Sequence, residues 1–551
     1  MRVLLKALGV GLLLAGCGQG GSGESDSFPV KIKPEILDDG TGVLRKGNGA
    51  EPGTLDPHKA QGVPAANILR DIYEGLISEE PDGTIEPGGA ESWEISEDRK
   101  TYTFKLREDA VWSNGEPVRA EDYAYGLRRT VDPATGSVYA SILAPIENAE
   151  AIIAGDKAPD TLGVTAVDEF TLEIRLKAPT PYFLGLLTHS TTYPLYRPAV
   201  EEHGDQFTRP GNAVTNGAYL LKEWVVASEI VLEANPDYWD ADNVGVGRVE
   251  YYPIENTSSE LKRYQAGELD WTGSVPIPQL ETVRTHIPDQ LKTKPSLSNY
   301  YYGLNVTREP FQDSPQLRQA LSMAIDREVI VEKITRGNEI PAYQWVPPVV
   351  SDYQGAKLAY ADMPQEQRNA RARELYAEAG YGEDNPLTVE IRYNTLEAHK
   401  KIASVIASMW QNVLGVDVEL VNEEWKVFLQ NVSERRVTEV FRAGWVGDYD
   451  DPYTFLELLH SDFGINGAGY SNPEYDALLN KASRMPGGEQ RQSVLREAEA
   501  MLLADHPVIP VFFGTSKTLI KPYVKGYVGN PMSHYYSKDF RIEPADDSPA
   551  Q

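Results

Sequence analysis

A chain of 551 residues with a single cysteine, Cys17, cannot close a disulfide within itself, so its fold has to rest on buried apolar surface alone. At this length one ordinary core is insufficient, and the chain must form several domains or one large body with several lobes. Hydrophobic residues at 41% and aromatics at 9% can fill such cores, which excludes a globally disordered chain.

The surroundings of that cysteine say where the chain goes. Arg2 and Lys6 precede an apolar run, Ala7 to Ala15, and Leu14-Ala15-Gly16 stand directly before Cys17. A basic start, an apolar stretch too short to span a bilayer and a small-residue cleavage site predict a secretory leader over residues 1–16. The pattern resembles a bacterial lipoprotein signal, which implies that Cys17 is lipidated and begins the mature chain. Gly18 to Ser27 (GQGGSGESDS) has the composition of a flexible leash, so residues 17–27 are expected to tether a globular body to a membrane. Loss of Arg2 and Lys6 would take the net charge from −30 to −32, with no run of Lys and Arg left. Nucleic acid and anionic surfaces are poor partners for such a body.

Along the chain the pattern is mixed α/β. Thr101–Leu106 (TYTFKL) and 171–176 (TLEIRL) alternate as strands do. Segments 387–393 (LTVEIRY), a helix from about Glu397 to Leu414, and 416–421 (VDVELV) form a strand–helix–strand series with Gly415 as helix terminator, predicting parallel strands. Asp451-Pro452 and Asn472-Pro473 each place a capping residue before a proline at the first helical position. Residues 508–513 (VIPVFF) read as a strand despite Pro510.

Motifs for catalysis are missing. Eight scattered histidines form no HExxH or Cys/His cluster, and there is no GxSxG elbow, Walker loop or dinucleotide-binding turn. Asp448, Asp450 and Asp451 lack calcium-loop spacing. Neither enzyme, metal nor cofactor is expected. The 30 tyrosines, including Tyr300-Tyr301-Tyr302, and 9 tryptophans mostly fill cores, but a subset could line a cleft with broad faces and polar edges.

An ordered series of segments carries a resemblance. It runs through Leu55-Asp56-Pro57-His58-Lys59, Gly62-Val63-Pro64, Ile72-Tyr73-Glu74-Gly75-Leu76, Ala90-Glu91-Ser92-Trp93 and Thr103-Phe104-Lys105-Leu106-Arg107. It continues through Asn216-Gly217-Ala218-Tyr219, Tyr393-Asn394-Thr395 and Arg442-Ala443-Gly444-Trp445 with Asp448-Tyr449. From about residue 44 to 540 the chain resembles the oligopeptide-binding proteins of peptide ABC importers, bacterial extracellular solute-binding family 5. The resemblance implies a periplasmic-binding-protein-like α/β fold in which two of three lobes close on a ligand about a hinge. Lobe I would take 28–73, 198–299 and 516–551, lobe II 74–197, and lobe III 300–515.

It also implies a function: capture of short peptides outside the cytoplasm, largely independent of sequence, by a monomer that delivers them to a membrane permease. A ligand read through its backbone can pair like an added strand, and the resemblance assigns this to backbone groups of Val63, on a strand, and of Gly444 and Val446. Asp448 would hold the ligand's α-ammonium, Arg442 and His399 its carboxylate, and Tyr139 and Trp425 would line side-chain pockets. Gln61 departs from the family's glutamate two residues before Val63, which puts any preference for basic peptide side chains in doubt. Dedication to a narrower ligand, such as murein or signalling peptides, is the alternative within the family; a secreted hydrolase is the alternative outside it.

Cys17→Ser is expected to release the protein from membranes on fractionation while leaving ligand binding intact. Retention of the variant in the membrane fraction would refute the lipid anchor.

Overall fold

The computed structural model describes residues 33–435 and 438–543. The expected leader, Cys17 and the tether lie outside the described residues. Among the described residues no helix is long and apolar enough to cross a membrane, and no group of three or more His, Cys, Asp or Glu is placed to hold a metal ion.

Three main sheets organise the chain. The first runs, in spatial order, Gly42–Gly47, Val246–Tyr252, Glu229–Ala234 and Tyr219–Val225, its first pair parallel and the others antiparallel. The second is antiparallel: Ala90–Ile95, Thr101–Leu106, Thr171–Arg175 and Val164–Asp168. It forms from the expected alternation, with Tyr102, Phe104 and Leu106 buried and Lys105 exposed. The helix Ala120–Val131 packs on it, burying Tyr123, Ala124, Leu127 and Val131 on one face. The third has six strands: Ile340–Pro341, Val508–Leu519, Leu291–Leu304, Val440–Val446, Thr388–Asn394 and Asp417–Glu423.

The predicted crossover is present in that sheet. Thr388–Asn394 and Asp417–Glu423 are parallel, the helix Glu397–Leu414 connects them, and Gly415 at φ +76° ends the helix. Pro510 is tolerated within its strand beside a register shift, between Tyr300 and Tyr301, and its carbonyl accepts from Arg327 Nε at 2.8 Å. Asn472 caps the helix Pro473–Ala482 as expected. The helix Tyr453–Leu456 begins one residue later than expected, with Pro452 rather than Asp451 at its N-cap; the Asp451 carboxylate accepts from the Tyr453 N–H at 2.9 Å and pairs with both terminal nitrogens of Arg491 at 2.7 and 2.8 Å.

One apolar core, from Leu44 to Ile542, runs through all three sheets, with a smaller cluster under Leu261, Tyr264 and Leu280. Buried polar joints connect the bodies built on the sheets. Between first and second, the Arg129 guanidinium grips Asp56 with two bonds of 2.7 and 2.9 Å. The Glu74 carboxylate accepts from Tyr238 Oη and from Trp239 Nε1 at 2.8 Å, and the Glu74 backbone exchanges two hydrogen bonds with the Asn216 amide. The first body joins the third through the long paired strands Leu291–Leu304 and Val508–Leu519. Their outer ends meet the first body where the Leu519 N–H donates to Thr272 Oγ1 at 3.0 Å.

In the third body the loop from Trp345 to Ala356 is held by one buried acid. Glu499 accepts from the N–H groups of Trp345, Val346 and Ala356 and from Tyr353 Oη, at 2.8–2.9 Å. Burial pushes its pKa up to about 7 despite those four donors. Glu499→Gln places an amide N–H₂ against at least the Ala356 N–H, since only the Tyr353 hydroxyl can turn to accept, and an orphaned buried donor costs roughly 1–3 kcal/mol. Thermal unfolding should show a melting temperature clearly below that of Glu374→Gln, a change at an exposed helix position. Equal temperatures would show that the loop does not depend on Glu499.

Candidate functional site

The strand Val440–Val446 lies between Leu291–Leu304 and Thr388–Asn394, but the two sides differ. On one side the pairing is continuous, from Val440 opposite Leu304 to Val446 opposite Ser298. On the other it stops after Val440–Ile391 and Phe441–Arg392. Beyond this fork the edge from Arg442 to Val446 carries no ladder to Thr388–Asn394, and Gly444 there is exposed. Such an edge inside a sheet is a template for an added strand.

A charged group stands at each end of this edge. Arg442 donates to Asn394 Oδ1 at 3.2 Å across the fork, and its guanidinium lies 4.6 Å from the Tyr300 ring centre. Among the described residues no carboxylate lies within 4 Å of it, and its buried Nε has no acceptor. His399, buried near the start of its helix, contacts Tyr300 Oη through Nδ1 at 3.2 Å. Burial, and then the Arg442 charge, hold its pKa well below the ordinary value, so the imidazole is neutral and Arg442 is the cation of this end.

At the other end, just past the strand, stands Asp448. Its N–H donates to Thr454 Oγ1 at 3.1 Å. Burial pushes the carboxyl up to about 7, partly opposed by the charge of Arg70. Oδ1 is 3.7 Å from His189 Nε2, but burial drives that imidazole down to about 3, so it is uncharged and supplies no ion pair. Oδ2 is buried with no hydrogen-bond partner. A buried acid with an idle oxygen and no charged partner within 4 Å among the described residues is built to receive one.

Aromatic contacts from the second body close over this end. Tyr139 lies 5.0 Å from His189, stacks on Trp445 at 6.2 Å and meets Phe463 edge-on at 6.5 Å. Tyr182 stacks on Tyr449 at 4.6 Å and 3°. The first body approaches at Gly62-Val63. Val63 is not on a strand as expected: it opens the helix Val63–Ile72, because Gly62 turns the chain at φ +82° and Pro64 favours a helical first turn. The Val63 side chain is exposed, and its N–H finds no backbone acceptor among the described residues. Trp425, at the start of the helix Trp425–Glu434 and stacked on Phe428 at 6.1 Å, reaches the same place, since a Cβ on Gly62 would stand 3.1 Å from its ring.

The structure therefore gathers Asp448, Val446, Gly444 and Arg442 along one edge, with His399 behind Arg442, Tyr139 above and Val63 and Trp425 opposing each other. Sequence reasoning did not single out His189, Arg70 or Tyr182. A lone histidine, an arginine within a helix and one tyrosine among thirty carry no local signal; only their meeting across bodies does.

The chain as a whole is similar to known proteins. Residues 84–467 match the model of bacterial extracellular solute-binding proteins, family 5 Middle. The chain is 42% identical to the periplasmic oligopeptide-binding protein OppA of Escherichia coli (strain K12), over 91% of this chain and 92% of that one. It is also 42% identical to the periplasmic murein peptide-binding protein MppA of the same strain, over 89% and 91%. Among solved structures, Haemophilus influenzae OppA in complex with RPPGFSPFR superposes with TM-score 0.88 at 39% identity, covering 91% of this chain and 98% of that one. The Escherichia coli murein tripeptide-binding protein MppA gives 0.89 at 41% identity, with the same coverage. MppA in its unliganded open form gives only 0.65 at 40% identity, covering 93% and 99%. With identity nearly constant, the drop reflects the arrangement of the bodies, and the conformation described is a closed one.

A cross-link can test whether those bodies part. A Cβ on Gly487, in the third body, would stand 3.6 Å from Pro181 Cβ in the second, within the range a disulfide spans. Pro181→Cys/Gly487→Cys, oxidised without ligand, should take up ligand far more slowly than wild type and recover with reductant. Oxidised with ligand, it should retain it through gel filtration. Wild-type uptake by a fully cross-linked sample would mean that these bodies need not separate.

Proposed function

The chain belongs to the bacterial extracellular solute-binding proteins of family 5, and we propose that it captures short peptides in the periplasm for an ABC importer. The observation that carries this reading is the buried Asp448 carboxylate with its idle Oδ2, set at one end of an unpaired strand edge whose other end holds the unpaired Arg442. A peptide is a strand with a cation at one end and an anion at the other. Laid antiparallel to Val440–Val446, its α-ammonium meets Asp448 and its carboxylate meets Arg442, with His399 as a neutral hydrogen-bonding partner. Gly444 and Val446 pair with its backbone from one side and the Val63 N–H from the other, so recognition ignores side chains. Tyr139 and Trp425 border the space left for those side chains, where bridging water can adapt to each. Asp448 lies six positions after Arg442, about 20 Å if the chain is extended. After allowance for the reach of both side chains, that suits a peptide of roughly three to five residues.

We assign the first body to lobe I (28–73, 198–299, 516–551), the second to lobe II (74–197) and the third to lobe III (300–515). The two long strands that cross near residues 299 and 515 are the hinge, and lobe III closes against the other two. The protein acts as a monomer, tethered through lipidated Cys17 after removal of residues 1–16, and delivers peptide to a membrane permease; it performs no catalysis itself. A dedicated murein-peptide binder is the second reading, favoured by the equal 42% identity to MppA.

Asp448→Asn keeps the shape and removes the charge. Truncating one partner of a buried ion pair costs roughly 2–5 kcal/mol, so affinity for a free tripeptide should fall about thirtyfold or more. N-acetylated tripeptide should bind wild type as poorly, and acetylation should cost the variant much less. Calorimetry of two proteins against two peptides measures this cycle; additive losses would remove Asp448 from the ammonium site. Extending the titration to murein tripeptide separates the readings, because a dedicated binder would leave ordinary peptides unbound.

A further inference from the structure

A basic pocket of about 130 Å³ lies at the seam between the first and third bodies. One wall carries Glu281 and Arg284 on the short helix Leu280–His286; the other carries Lys333, Arg336 and, from the helix Glu397–Leu414, Lys401. Arg284 has Glu281 at 3.7 Å. Lys333, Arg336 and Lys401 have no carboxylate within 4 Å among the described residues. In a chain with 82 acidic and 52 basic residues, three unpaired cations around one pocket run against the charge balance. Arg336 is held in place locally: it follows a π-helical turn, Ile330–Thr335, takes φ +50°, and spends its Nε–H on the Lys333 carbonyl at 3.2 Å. Its terminal N–H groups remain available in fork geometry suited to paired oxygens.

We propose that this seam binds a multivalent phosphate-class oxyanion, free or as the headgroup of an anionic lipid, and that closure of the first and third bodies completes the site. Four cations against one carboxylate set the sign of the ligand. Four cations drawn from separate elements call for more than one charged oxygen. Because each body supplies one wall, the anion favours the closed arrangement, and whatever closes the cleft must raise the anion's affinity by the same factor that the anion raises its own.

Inorganic pyrophosphate titrated calorimetrically into the purified protein, with and without saturating tripeptide, tests this. Binding should be detectable, and tighter with tripeptide present, where the cleft cations are also covered. Lys333→Gln/Arg336→Gln/Lys401→Gln should weaken it by about threefold for each cation removed, with tripeptide affinity in the absence of anion unchanged. Lys401→Gln alone, at an exposed helix position, should give about a threefold loss even if the triple variant misfolds. Cys17→Ser protein, free of lipid, is then sedimented with vesicles of phosphatidylcholine with or without cardiolipin, whose headgroup carries two phosphates. Pelleting only with cardiolipin, lost in the triple variant, identifies a headgroup; pyrophosphate binding without pelleting identifies a free anion. Absence of both, or binding that the substitutions leave unchanged, overturns the site. Pyrophosphate affinity indifferent to tripeptide overturns its completion by closure.

Discussion

Leu291–Leu304 and Val508–Leu519 pair along almost their whole length, with one interruption between Pro295 and Asn299 and another beside Pro510. The same two strands leave the first body and become the centre of the third sheet. Val440–Val446 takes its register from one of them, and Asp448 and Arg442 take theirs from Val440–Val446. The pairing therefore sets both where the bodies can swing and where the charges at each end of the edge stand. Two register shifts in an otherwise regular ribbon are the places where it can bend.

The remaining joints are buried polar groups, as a chain without disulfides requires if its bodies are to keep their relation. Asp56–Arg129 and Glu74 with Tyr238 and Trp239 are such joints, and Asp451–Arg491 satisfies a charge in the same way within the third body. Asp448 and Arg442 differ in that their charges are left open. The contrast within one acidic run is sharp: Asp450 accepts from Ser351, Asp451 grips Arg491, and only Asp448 keeps an oxygen free.

Much of this was legible in the sequence. Alternation located Thr101–Leu106 and Thr388–Asn394, Gly415 located the end of a helix, and the Asp448 and Arg442 motifs marked the two ends of the edge. What the sequence hid was of two kinds. Local geometry misled at Val63, where Gly62 and Pro64 start a helix in place of an extended segment. Leu55-Asp56-Pro57-His58-Lys59 was legible as a family signature, but its chemistry was not: Asp56 and His58 serve the joint to Arg129 and the Tyr193 carbonyl, away from the cleft. The pairings His189–Asp448 and Tyr182–Tyr449 join residues more than 250 positions apart, and no local periodicity encodes such a meeting.

The idle oxygen of Asp448 has a thermodynamic corollary. Exposed to water the carboxyl titrates in the ordinary range, whereas in the closed, empty arrangement its pKa rises to about 7. Shutting on nothing therefore draws a proton from solution between roughly pH 4 and 7, and grows easier as the medium acidifies. Shutting around an ammonium needs no such proton, because the carboxylate stays ionised against its guest. Full and vacant molecules thus differ in proton stoichiometry, and the acidity of the surroundings sets how sharply the two are told apart.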